Sequence, residues 1–332
     1  MHGSAARHMC RAGPWRMRHG FPIPYARSMG DSPSKAVLVT GCSSGIGEAT
    51  ARRLAGHGWT VYASARRLES IQQLADVGCK LLRLDVTDEG SMRAAVDTVE
   101  REQGAVGVLV NNAGYSQGGP IEQVPLEAAR RQFETNVFGP IALTQMVLPA
   151  MRAQHWGKIV NIGSMGGRLT LPGGGLYHAT KHSLEAISDA LRFEVRGFGV
   201  DVVLVEPGLI TTEFGKTAIA TVGEADATGT GGTSGIQEEP GNEGATRDGG
   251  DPYKKFNAKL AAMTAGVYEG PMRHLGGGPD VVAKAIEKAI TSRKAPSRML
   301  LTPSAHLTVF QRKILPDRLW DAMLRTQMPE PH

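Results

Sequence analysis

Residues 35–47 read KAVLVTGCSSGIG: an apolar, β-branched run, Ala36 to Thr40, passes directly into Gly41, Ser43, Ser44, Gly45, Ile46 and Gly47, and a helical pattern starts at Ile46. Glycines between a strand and a helix let the backbone turn tightly and approach a pyrophosphate, whose charge the amide groups and dipole of the helix start favour. A glycine-rich turn alone is also compatible with a plain tight turn; the strand before it and the helix after it favour the phosphate site. The spacing is GxxxGxG, one residue longer between the first two glycines than the common GxGxxG.

Outward from this turn, short apolar runs alternate with longer helical ones, the pattern of a parallel sheet wrapped by helices. Candidate strands are Ala36–Thr40, Thr60–Ala63, Lys80–Leu84, Val106–Val110, Lys158–Ile162, Asp201–Glu206 and Arg298–Leu301. Runs such as AVLV, GVLV and VVLV suit strands buried on both faces. Helical stretches are Ile46–Ala55, Ser91–Glu100, Leu126–Met151 and Leu176–Arg196, the last with Leu184, Ile187, Leu191 and Val195 at helical spacing. The expectation is an α/β fold, a doubly wound parallel seven-stranded sheet of Rossmann type in a single domain spanning 34–302.

The chain of 332 residues carries 37 basic and 32 acidic side chains. Residues 1–30 hold five arginines and no Lys, Asp or Glu, so the remainder is balanced at 32 against 32. A basic tail on a neutral body argues against a nucleic-acid binder. The tail reads as a disordered segment or a start placed upstream of Met29, with a transit peptide as the other reading. Residues 223–250 contain nine glycines, six acidic residues and no aromatic residue, and read as a disordered insertion. Residues 303–332 read as an amphipathic extension broken by Pro316, packing over the substrate mouth or a partner subunit, or else lying on a membrane surface. Cys10, Cys42 and Cys79 lack the spacing of a disulfide framework or a zinc site, which fits a reducing, cytoplasmic setting without a metal. No apolar run approaches the roughly 20 residues of a spanning helix.

After the second strand the sequence reads Ala63-Ser64-Ala65-Arg66-Arg67. An acid there would take the ribose hydroxyl of NAD, whereas a guanidinium holds the 2′-phosphate of NADP, so NADP is expected ahead of NAD. Asp85, closing the third strand, can accept from an adenine amino group or cap the next turn. Asn111-Asn112-Ala113-Gly114 follows the fourth strand, Asn136 lies in a long helix, Ser164 lies past the fifth strand, and Tyr177 precedes Lys181 by four residues. An i, i+4 pair shares a helix face, and an ammonium beside a phenol lowers the cost of its phenolate. Lys181 can thus tune Tyr177 for acid/base work, Ser164 can hydrogen-bond the substrate oxygen, and Asn136 can hold a proton-relaying water.

With TGCSSGIG, LDVTD, NNAG, Ser164 followed by YHATK, and PGLITT in place, the chain resembles the short-chain dehydrogenase/reductase family, strongly from Lys35 to Thr212. The resemblance implies Tyr177 as acid/base, Lys181 also on the nicotinamide ribose, and Ser164 and Asn136 completing the catalytic set. It sets Gly41, Ser43, Ser44, Gly45, Ile46 and Gly47 along the cofactor, Arg66 at the 2′-phosphate, and Asp85 and Val86 around adenine. Asn112, Ala113 and Gly114 then border the ribose, and Pro207, Gly208, Ile210 and Thr212 surround the nicotinamide. The segments VYASARR and SMGGRLTLPGGGLY are similar to the hydroxysteroid and retinol dehydrogenase branch. With Leu169, Leu171, Leu176 and Tyr115 near the site, the expected substrate is a lipophilic alcohol or its ketone or aldehyde. Alternatives are a 3-oxoacyl-carrier-protein reductase, with Arg130, Arg131 and Arg168 as a rim for an acidic carrier, and a non-catalytic NADP sensor. A homodimer or homotetramer is expected through the two long helices.

Overall fold

The computed structural model describes residues 32–212, 251–269 and 275–331. The basic tail and the 223–250 insertion lie outside the described residues. Seven strands, β1 (Val37–Val39), β2 (Val61–Ala65), β3 (Lys80–Arg83), β4 (Val108–Asn111), β5 (Gly157–Ile162), β6 (Val200–Pro207) and β7 (Arg298–Leu301), form one sheet in the order β3-β2-β1-β4-β5-β6-β7. All neighbours pair in parallel. The order reverses between β1 and β4, and in such sheets ligands bind at the carboxyl ends of the strands beside that switch.

Side chains alternate across each strand, so the apolar runs feed two cores. Val37 and Val39 of β1 pack on one face with Leu54 of α1 (Gly45–Gly56), whereas Leu38 faces the other with Met92, Val96 and Val99 of α2 (Glu89–Gln103). The edge strand β3 departs from the both-faces expectation: its four residues are exposed or half-buried, since only β2 flanks it. β2 extends two residues beyond Ala63, so Arg66 follows the strand end directly.

The stretch Leu126–Met151, read as one helix, is α3 (Leu126–Phe133), a π turn (Glu134–Phe138) and α4 (Gly139–Ala153) in continuous succession. Pro140 has no N–H to give the Asn136 carbonyl in α register, and the chain widens instead, with Gly139 N–H donating to the Glu134 carbonyl. The Tyr/Lys helix is α5 (Gly175–Val195). Beyond it lie α6 (Lys254–Glu269), α7 (Pro279–Thr291), and the extension, which forms α8 (Pro303–Ile314) and α9 (Asp317–Gln327) on either side of Pro316. A 3₁₀ segment, Leu68–Val77, connects β2 to β3. Among the described residues no helix is long and apolar enough to cross a membrane.

Candidate active site

The loop between β1 and α1 is held in a shape that glycine alone accepts readily. Gly41 and Gly45 lie at φ +71° and +61°, the left-handed region that other residues rarely occupy. A Cβ on Gly47 would collide with the Gly41 carbonyl and lie 2.6 Å from Asn112 Nδ2, so only glycine lets α1 sit this close to the loop. Ser43 is exposed and Ser44, the residue before α1, makes no side-chain cap, leaving the helix start open to an anion. Thr40 Oγ1 accepts from Asn112 N–H at 3.0 Å and Ala113 N–H at 2.9 Å, while Asn112 Nδ2 donates to the Thr40 and Gly41 carbonyls. The two turns are thus joined side by side, and the Thr212 side chain lies 3.2 Å from where a Gly45 Cβ would stand. Such a glycine-built, amide-lined cradle fits a dinucleotide pyrophosphate.

Past the end of β2, Arg66 is exposed. Burial raises the Tyr115 phenol above its ordinary range, and the nearby charges of Arg131 and Arg66 oppose that rise, so both guanidinium groups lie within electrostatic reach of Tyr115. Asp85 caps its own turn, accepting from Thr87 N–H at 3.0 Å and Thr87 Oγ1 at 2.8 Å. Val86 is buried beneath the start of α4, where a Cβ on Gly139 would meet its carbonyl at 2.6 Å.

The four candidate catalytic residues converge at the ends of β5 and α5. Lys181 is buried and donates from Nζ to the Ile162 carbonyl, the last residue of β5, at 2.8 Å. Its Nζ stands 5.6 Å from the Tyr177 ring centroid. Burial lowers the Lys181 ammonium to about 8. Ser164, two residues past β5, accepts from Gly166 N–H at 3.0 Å. That bond uses one oxygen lone pair and leaves the hydroxyl proton for another acceptor. Asn136 sits in the π turn with its amide committed: Nδ2 donates to the Tyr115 carbonyl at 2.9 Å and to Thr180 Oγ1 at 3.1 Å, and Oδ1 accepts from Tyr115 N–H. Thr180 in turn donates to the Tyr177 carbonyl at 2.7 Å, which ties the π turn to the tyrosine's own helical turn. Thr180, three residues after Tyr177, was legible only as a helix position.

The segment leading into Tyr177 is braced by His178, a residue that no motif marks. Its Nδ1 accepts from Leu171 N–H at 3.1 Å, and Cβ atoms on Gly166 or Gly174 would strike its ring. Burial, with His182 nearby, lowers its pKa to about 4, so the ring is neutral at ordinary pH. A groove of about 500 Å³ borders the 168–175 segment, lined by Ile121, Leu169, Leu171, Pro172, Trp320 and Leu324 and by the charged or polar Arg168, His182, Arg312 and Asp321. Trp320 and Leu324 come from α9, so the extension walls this groove, while Leu307, Phe310 and Ile314 of α8 face outward. After β6, Gly208 N–H donates to the Leu301 carbonyl, a Cβ there would lie 2.7 Å from Ser304 Oγ, and Ile210 bridges to Gly277. Pro207 ends β6 beside them.

A family profile described as short chain dehydrogenase matches residues 35–222. An NADPH-dependent 3-dehydrocapnine reductase of Ornithobacterium rhinotracheale is 33% identical over 295 residues, covering 86% of this chain and 94% of that protein. A 3-ketodihydrosphingosine reductase of Bacteroides thetaiotaomicron is 41% identical over 179 residues, 54% of this chain and 65% of that one. Among solved structures, a short-chain dehydrogenase from Streptomyces avermitilis superposes with a TM-score of 0.65 at 32% identity, covering 89% of this chain and 99% of the other.

Proposed function

This chain belongs to the short chain dehydrogenase family of NAD(P)-dependent oxidoreductases, and from that premise we propose that it reduces a lipophilic ketone with NADPH, Tyr177 delivering the proton. The observation that carries the reading is Lys181, buried and anchored to the end of β5, with its charge beside the Tyr177 ring. Bound NADPH supplies the hydride; the chain supplies position and proton. Tyr177 Oη gives its proton to the carbonyl oxygen as the carbon is reduced, and the Ser164 hydroxyl donates a hydrogen bond to the same oxygen, keeping its own proton. An ammonium has three donors; one holds Ile162, and two remain for ribose hydroxyls and the phenolate left on Tyr177. Because the Asn136 amide is committed to Tyr115 and Thr180, its part in a proton relay falls to its main-chain carbonyl on the π turn.

NADPH over NADH is supported by Arg66 at the strand end, by the absence of an acid there, and by the NADPH dependence in the name of one relative. A long apolar substrate is supported by Ile121, Leu169, Leu171 and Trp320 in a groove that Arg168, His182, Arg312 and Asp321 also line, and by relatives named as reductases of 3-dehydrocapnine and 3-ketodihydrosphingosine. Homo-oligomers through α3, α4 and α5 are supported by exposed Leu126, Phe138 and Phe193. The oxidoreductase domain then spans 34–302.

The test is binding of NADPH and NADH by the purified full chain, then turnover of long-chain ketones, retinoids, steroids and acyl thioesters by wild type and Tyr177→Phe. The reading expects NADPH preference, turnover of an apolar ketone, and loss of that turnover in the variant. Unchanged turnover by Tyr177→Phe overturns the catalytic assignment, and NADPH binding without any turnover points to a sensor.

A further inference from the structure

Beneath the Ser164 turn lies a cluster of charges that the reaction does not use. Glu206, near the end of β6, has a side chain only 2% exposed, and Glu185 of α5, one turn beyond Lys181, has one 12% exposed. Glu185 Oε1 is buried without a hydrogen-bond partner among the described residues, and the Glu206 carboxyl lies within electrostatic reach of it. Two ionised carboxylates in such a place repel, whereas one protonated oxygen between them makes a hydrogen bond. The surrounding charges do not remove the need for that proton. Arg298 of β7 reaches Glu185 Oε2 at 3.1 Å but also binds Asp189, which is further paired with Arg192. Arg168 reaches Glu206 Oε1 at 3.3 Å, yet is 42% exposed and screened by water. On α5, Lys181 spends its contact on the Ile162 carbonyl and His182 bonds the His178 carbonyl.

We propose that Glu185 holds a proton and gives it as a hydrogen bond to Glu206, and that this pair positions the catalytic turn, the acid on one side holding α5 to β6 and Arg168 fastening the turn after Ser164 to Glu206. The turn Met165–Gly167 has Ser164 before it and Arg168 after it, and its Gly167 presses on the pair: a Cβ there would lie 3.1 Å from Glu185 Oε1. Tyr177 and Lys181 ride on the same helix as Glu185, and Pro207 follows Glu206 directly. The pair therefore joins three segments of the site. Burial, with Glu206 alongside, pushes the Glu185 carboxyl up to about 8, so the proton is held at neutral pH. Stability from a raised carboxyl is complete below its ordinary value and is lost as pH rises through the folded one. Above about pH 8 the pair separates and the turn loosens.

The positioning role rests on the proposed catalytic reading; the proton itself does not. Infrared spectra of the wild-type chain at neutral pH should show the carbonyl band of a protonated carboxylic acid, removed by Glu185→Gln or Glu206→Gln, and its absence from wild type overturns the proposal whether or not either variant folds. Glu185→Gln keeps a hydrogen donor at every pH. Its thermal midpoint should hold between about pH 6 and about pH 9 while that of wild type falls, and parallel curves overturn the proton on Glu185. Across the same range, wild-type kcat/KM for the ketone should fall several-fold more than that of Glu185→Gln with NADPH affinity unchanged in both. Equal falls overturn the positioning role while leaving the Tyr177 assignment to its own test.

Discussion

Asn112 donates from one side-chain nitrogen to two carbonyls of the glycine loop, Thr40 at 2.8 Å and Gly41 at 3.1 Å. Together with the Cys42 N–H bond to the Ser64 carbonyl, this link from the turn after β4 holds the loop in its shape. Asn112→Ala leaves two partly buried carbonyls without their donor, a loss of about 1–3 kcal/mol. The expected outcome is a lower unfolding midpoint and NADPH affinity weakened about tenfold. Asn112→Asp, which accepts but cannot donate, should be no better. Wild-type midpoint and affinity in both variants would sink the idea that this residue shapes the cradle.

Gly47 offers a sharper test because the obstacle is backbone, which cannot swing aside. An added methyl group meets the Gly41 carbonyl and Asn112 Nδ2 together. Gly47→Ala should cost about 1–3 kcal/mol of stability and weaken NADPH by more than tenfold, since relief requires the loop itself to move. Gly56, at the far end of the same helix, has open space at its Cβ position, and Gly56→Ala should leave cofactor affinity untouched. Calorimetric titration of the two variants side by side separates local crowding from a general effect on the helix.

Much of this arrangement is written in local pattern. Strands buried on both faces must be apolar throughout, which is why AVLV, GVLV and VVLV mark β1, β4 and β6, and the glycine spacing marks the cradle. Tyr177 and Lys181 declare themselves through helical spacing. The π turn was hidden because a proline near a helix start is ordinarily harmless, and only its distance from Asn136 shows which carbonyl loses a donor. The Asn112 link, the His178 brace and the Glu185–Glu206 contact join residues whose proximity is created by the sheet order. Those partners become visible only once the strands are in place.

His178 carries a pH dependence of definite sign. Its neutral ring accepts from Leu171 N–H, and burial holds its pKa near about 4 against an ordinary 6.5. Protons therefore bind the unfolded chain first: the contribution is intact above pH 6.5 and is lost as pH falls through about 4, by roughly 1.4 kcal/mol per pH unit in between. His178→Gln cannot titrate. Denaturant midpoints of wild type should fall relative to this variant across that window, and parallel curves would mean that the ring is already charged or solvent-accessible.

Lys181 sets stability against activity. Burial pulls its ammonium down from 10.5 to about 8, so at neutral pH the folded chain holds a charge that the unfolded chain would keep more comfortably in water. For a base whose folded pKa is depressed, stability is greatest above the ordinary value and is lost as pH falls through the folded one. Lys181→Met removes the charge and keeps most of the volume, at the loss of the bond to the Ile162 carbonyl. Replacing a buried, imperfectly compensated charge by an apolar chain of similar size commonly stabilises, here by about 1–2 kcal/mol after the lost bond is counted. The same variant loses the cation beside Tyr177 and the donors proposed for the ribose, so turnover should fall by about a hundredfold or more. A chain that unfolds at higher denaturant while nearly inactive would show that Lys181 is kept for chemistry. A chain that is destabilised by Met at neutral pH, or that retains turnover, would show instead that the ammonium is held mainly by its structural bond to β5.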